Sequence, residues 1–290
     1  MYELLIQPFA EFSFMRRALL GCLAIALSAS PVGVFLMLRR MSLTGDAMAH
    51  AILPGAAIGF LFAGLSVTAM TVGGLMAGCL VAVLAGATSR QTETAEDSNM
   101  AAFYLVSLAL GVMIISMRGS NVDLLHVLFG STLALDDAAL ILLTGVCSIT
   151  LLTLAVLFRP LVVECLDTEF LKSVSRLSAL AHFSLLILIV LNLVGGFHAL
   201  GTLMSVGLMI LPATIARFWV EELENMILLA IALAFSGCYA GLLLSYYFSL
   251  PTSPLIIVCL GAAYFSSILF GTRKGIVARY IRSHQRHLAA

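Results

Sequence analysis

Charge is what this chain has least of. Only 10% of its 290 residues are Asp, Glu, Lys or Arg, against about a quarter in an ordinary soluble domain. No water-facing surface can be built from so few charges, so a soluble enzyme is excluded. Lysine occurs only at Lys172 and Lys274, and neither follows the Gly-rich turn of a phosphate-binding loop. The chain therefore carries no ATP-hydrolysing motif of its own. HExxH and GxSxG are also missing, which removes the usual membrane-bound hydrolases. The six cysteines show no CxxC spacing and read as small buried hydrophobes. Fifteen basic and fifteen acidic residues cancel, which leaves no basic surface for nucleic acid. The opening segment, 1–17, carries Glu3 and Glu11 ahead of its first arginine. It reads as a short interfacial amphipathic segment rather than a secretory signal.

What is present is apolar. Hydrophobic residues make up 61% of the chain and the mean hydropathy is +1.10, with 23 glycines to let helices approach closely. The reading is an all-α, polytopic membrane protein forming one transmembrane domain over 1–290. At about 20 apolar residues per crossing, candidate spans lie near 18–38, 43–63, 67–88, 100–117, 138–158, 177–196, 199–216, 226–248 and 254–270, with a count of eight if one of them is re-entrant. The stretch 118–137 is too short in apolar residues to cross and is expected to cap one face or re-enter. Placing 39–42, 89–99, 159–176, 217–225 and the basic tail 271–290 in the cytoplasm puts twelve of the fifteen Lys and Arg residues inside. Arg16, Arg17 and Arg118 stay outside.

Ionisable residues at membrane depth mark function. Asp46 and His50, in GDAMAHAILPG, are spaced i, i+4 and so share a helix face. A carboxylate and an imidazole converging there form half a site for a divalent cation such as zinc, manganese or ferrous iron. The same spacing serves a buried Asp–His hydrogen bond that only orders the helix. Ala51, Gly55 and Gly59 continue along this helix as a ladder of small residues, predicting close packing against a neighbour, and Pro54 predicts a kink. His198, in GGFHALGT between two spans, is a candidate additional contact for an entering metal. His126 and His182 read as hydrogen-bonded structural histidines, and His284 and His287 as solvated. In 159–176, Asp167 is placed to cap a short helix with Glu169 in its first turn. Phe170, Leu171 and Val174 are expected on one side, as a docking knob or as the underside of a surface helix.

The run GVFLMLRRMSLTGDAMAHAILPGAAIG resembles the permease subunits of ATP-binding-cassette importers for zinc, manganese and iron. The likeness lies in Gly33–Arg40 and in Gly45, Asp46, Ala47, His50, Ala51, Leu53, Pro54 and Gly55. It extends to Gly201-Thr202-Leu203 with Ile210-Leu211-Pro212-Ala213-Thr214 and Ala216, and to Phe158–Ser175. The resemblance implies a multi-pass protein of the bacterial cytoplasmic (inner) membrane with no permanently bound cofactor. It implies a second permease copy, two ATP-binding subunits, and a periplasmic or lipid-anchored metal-binding protein as partners. Asp46 and His50 then correspond to metal ligands of the pathway, and the segment with Asp167, Glu169 and Phe170 to the ATPase-coupling element. His198 falls where the family carries an apolar residue, so no role transfers to it. Spare imidazoles favour zinc as cargo, with manganese or iron as alternatives. A proton-coupled secondary transporter using Asp46–His50 as a relay is the reading from another class.

Overall fold

The computed structural model describes residues 5–64, 66–92, 96–117 and 135–277. Among them are helices and no strands: α1 (Gln7–Glu11), α2 (Ser13–Leu38), α3 (Thr44–Ala63), α4 (Val67–Gln91), α5 (Glu96–Met117), α6 (Asp137–Leu166), α7 (Thr168–Val174), α8 (Leu177–Leu200), α9 (Thr202–Trp219), α10 (Leu223–Phe248) and α11 (Thr252–Phe270). Eight of these are long and apolar enough to cross a bilayer. The ninth predicted span, 100–117, falls within α5, a 22-residue helix that is not among those eight. The protein is a multi-pass membrane protein.

Each helix starts and stops for local reasons. The Asp136 carboxylate accepts the Ala139 amide at 2.8 Å and caps α6. Gly201 ends α8 at φ 86°, a left-handed conformation that a side chain would penalise. The predicted break in GGFHALGT is accordingly helical as far as Leu200, and the chain turns at Gly201. The α9 span therefore begins three residues later than the hydropathy suggested, at Thr202. Likewise α6 runs unbroken through Arg159 and Pro160 to Leu166. The separate element inside 159–176 is thus only the seven residues of α7.

The core runs along α2, whose Met15, Ala18, Cys22, Ala26, Val32 and Phe35 are fully buried. Two faces can be told apart by what meets there. On one, Arg17 pairs with Asp137 at 3.0 Å, and the Ser253 hydroxyl donates to the Leu200 carbonyl at 2.9 Å. On the other, Arg39, Arg90, Glu96, Glu164 and Ser178 converge, all from segments assigned to the cytoplasm or from the helix turns beside them. Pairing with Asp137 explains how Arg17 can sit on the face poor in positive charge. The N-terminal segment lies against the bundle: Phe9 stacks on Tyr239 with ring centroids 5.2 Å apart, and the Tyr239 hydroxyl donates to the Leu5 carbonyl at 2.9 Å. Residues 118–134, with His126, and the tail from 278, with His284 and His287, lie outside the described residues.

Candidate metal site

Asp46 sits in the first turn of α3 and His50 one turn on. Helical spacing turns both side chains to one side, with His50 Nε2 3.9 Å from Asp46 Oδ1. Two metal–ligand bonds of about 2.1 Å each reach across such a gap, so one ion can touch both atoms. The pair is not enclosed by its own chain. Asp46 is 66% exposed and His50 37%, on a stripe of α3 that continues from the exposed Leu43, the residue before the helix. Among the described residues no helix covers that stripe.

Beside Asp46 a cavity of about 170 Å³ opens between α3 and α5, lined by Thr44, Asp46, Asp97, Met100 and Tyr104 among others. The Tyr104 ring lies roughly parallel to the His50 imidazole, 6.2 Å away. The Thr44 hydroxyl donates to Asp97 at 3.5 Å. Asp97 and Tyr104 went unnoticed in the sequence. Asp97 hides in the polar connector before α5, and Tyr104 in an apolar run. Among the described residues no group of three His, Cys, Asp or Glu side chains is placed to hold a metal.

The frame around the pair is tight. A Cβ on Gly55 would run into the Gly73 carbonyl of α4, and one on Gly59 into the Ala69 carbonyl. The small-residue ladder is thus a backbone-to-backbone seam between α3 and α4. Ala51 is fully buried, and its carbonyl accepts the Ser107 hydroxyl of α5 at 3.1 Å. Pro54 is accommodated without interrupting α3 and packs on Gly111 of α5. It has no N–H to offer the His50 carbonyl. At the base of α3, a Cβ on Gly45 would meet the end of Met209 at 2.8 Å. Two motifs some 160 positions apart are therefore in contact.

His182, the other histidine whose side chain is described, does not join the pair. His182 is buried in α8, 2% exposed. Its Nδ1 lies 2.9 Å from Arg39 Nη2 and its Nε2 3.4 Å from Glu96 Oε1. An arginine can only donate, so Nδ1 accepts and the ring proton sits on Nε2, facing the carboxylate. Arg39 also binds Glu96 at 3.1 Å. Glu96 precedes the predicted span, and burial pushes its carboxyl above the usual carboxylate range, against the pull of Arg39. The backbone of His198 lies in the last turns of α8, while its side chain is outside the described residues. Of the spare imidazoles that favoured zinc, the one whose side chain is described, His182, is committed to Arg39 and does not reach Asp46.

On the face that the charge pattern assigns to the cytoplasm, Asp167 caps α7 by accepting the Phe170 amide at 2.9 Å. Glu169 pairs with Lys172 at 2.8 Å. Phe170 and Val174 are exposed, 56% and 66%, whereas Leu171 is buried. Leu171 therefore anchors the helix instead of sharing the outer face with them, because a residue one position on is turned by about 100°.

Residues 11–271 match the ABC 3 transport family. The chain is 32% identical over 289 residues to the manganese import system permease protein ScaB of Streptococcus gordonii, covering 99% of this chain and 98% of that one. It is 27% identical over 273 residues to the manganese transport system membrane protein MntC of Halalkalibacterium halodurans, covering 94% and 92%. Among solved structures it resembles PsaBC from Streptococcus pneumoniae in complex with Fab, with a TM-score of 0.81 at 28% identity, over 98% of this chain and 100% of that one. ScaB and MntC are named for manganese, and they give the preference for zinc no support.

Proposed function

This chain belongs to the ABC 3 transport family, and from that premise we propose that it is the membrane-spanning permease subunit of an ATP-driven manganese importer. The observation that carries the reading is the Asp46–His50 pair on an uncovered stripe of α3. A carboxylate and an imidazole suit manganese as well as zinc, and the names of the relatives favour manganese. An open half-site with two ligands calls for a second copy of the chain to face it across the pathway, with water completing the shell. Partial coordination also suits transport, since an ion must leave as readily as it enters. Two ATP-binding subunits dock below at α7 through Phe170 and Val174, with Asp167 and Glu169 setting that helix. An external metal-binding protein delivers the ion above. Alternating access then follows from nucleotide-driven movement of the docked helices. The chain is a transport subunit, and hydrolysis belongs to its partner.

Reconstitution with the ATP-binding subunits in vesicles, with radioactive manganese and zinc in competition, tests the reading. ATP-dependent manganese uptake that fails in Asp46→Ala is the expected result. Zinc uptake that excess manganese does not compete away would overturn the assignment of the metal. Unchanged manganese uptake in Asp46→Ala would overturn the site.

A further inference from the structure

Away from the metal pair, buried ionisable groups gather at the cytoplasmic helix ends, and one of them touches both flanks of the docking helix. Arg90 lies in the last turn of α4. Its Nη2 donates to the Ser178 hydroxyl at 3.1 Å and its Nη1 to the Ser178 carbonyl at 3.4 Å. The same Nη1 stands 3.6 Å from Glu164, whose side chain is 1% exposed. Glu164 ends α6 and Ser178 begins α8, so they bracket α7, and Thr168, the first residue of α7, donates its hydroxyl to the Glu164 carbonyl at 2.9 Å. The guanidinium thus holds the docking hairpin from both ends. Toward its other end, α4 meets α3 backbone to backbone at Gly55–Gly73 and Gly59–Ala69. With carbonyls and small side chains such as Ala69 and Ala77 filling that seam, little in it can give way, and α3 and α4 move together. A second tie runs through Arg39, which links α2 to Glu96 of α5 and His182 of α8.

The Arg90–Glu164 contact makes a poor staple. Neither Glu164 oxygen has a hydrogen-bond partner among the described residues, and a buried pair so loosely joined adds little stability over an apolar replacement. Such a contact suits a joint that must change length. We propose that Arg90 and Glu164 form the joint that carries movement of the docking helix to the α3–α4 pair bearing Asp46 and His50. Both are positioning residues, touching neither cargo nor nucleotide. The inference rests on the importer reading above.

The test uses the complete complex in vesicles, with manganese uptake and ATP hydrolysis measured on the same preparation. Glu164→Gln is expected to co-purify with the ATP-binding subunits and hydrolyse ATP within about twofold of wild type. It should move about tenfold less manganese per ATP, within the usual range of coupling between sites. The double variant Arg90→Gln with Glu164→Gln leaves no buried charge unpaired, and reads the same drop if the single variant assembles poorly. A wild-type ratio of manganese to ATP in the double variant, whether from normal rates or from uptake and hydrolysis falling together, would overturn the joint. Asp46→Ala, run alongside, separates the two claims. Lost uptake there with an unchanged ratio in the double variant rejects the joint alone, whereas unchanged uptake in Asp46→Ala rejects the site on which both rest.

Discussion

Two groups of ionisable residues in this protein follow opposite rules. Asp46 and His50 stand 3.9 Å apart on an uncovered helix face, joined to little else. Arg39, Glu96 and His182 are packed inside, with side chains 7%, 18% and 3% exposed and contacts of 2.9 to 3.4 Å between them. The contrast follows from the cost of burying charge. Groups taken from water need each other to be tolerated at all, whereas groups proposed to receive a passing cation must keep ligand positions open.

The comparison can be broken most severely from its buried side. Arg39→Ala leaves Glu96 enclosed without its cation, at a cost of about 3–5 kcal/mol. Unfolding in detergent should show a large loss of stability or no recoverable protein. A mild effect would mean that the buried group is as dispensable to folding as the open one. Asp46→Ala and His50→Ala should do the reverse. Stability should stay within about 0.5 kcal/mol, as for other exposed substitutions, while uptake falls on the order of a hundredfold, equivalent to about 2.7 kcal/mol. Thermal unfolding and manganese uptake on the same preparation check both halves.

Smaller changes sharpen the contrast. Gly55→Ala drives a methyl group toward the Gly73 carbonyl and is expected to cost about 1–3 kcal/mol through overpacking. Its uptake should fall even though neither ligand is altered, which shows that the open pair depends on a rigid frame. Glu169→Gln removes an exposed partner of Lys172 and should cost at most about 1 kcal/mol. Combined with Phe170→Ala it should still weaken co-purification of the ATP-binding subunits, a readout that stability alone would not move. Unchanged pull-down would remove α7 as the docking element.

Local features were legible because their causes are local. The span predicted at 226–248 appears as Leu223–Phe248 and that at 177–196 as Leu177–Leu200, since apolar length registers directly in hydropathy. The i, i+4 spacing of Asp46 and His50 needed only the helical repeat, and the cap at Asp167 only its place before a short helix. Arg39 was counted as one of two topogenic arginines. A left-handed Arg40, at φ 60°, turns the chain, and the two side chains part: Arg39 goes inward and Arg40 stays exposed. Glu96 and Asp97 read as connector, and His182 as an isolated histidine in a span. Glu96 and His182 lie 57 and 143 positions from Arg39, and no periodicity reports a contact over such distances.

The sequence by itself determined that this is an apolar, helical membrane protein with a carboxylate and an imidazole on one helix face, because hydropathy and helical spacing act over a few residues. Only the tertiary structure decided that this face is left uncovered among the described residues, that Gly55 and Gly59 are spent on a seam with α4, and that Arg39 and Arg90 tie neighbouring helix ends together. Those outcomes depend on which helices become neighbours, and that is settled by packing and charge burial summed over the whole bundle.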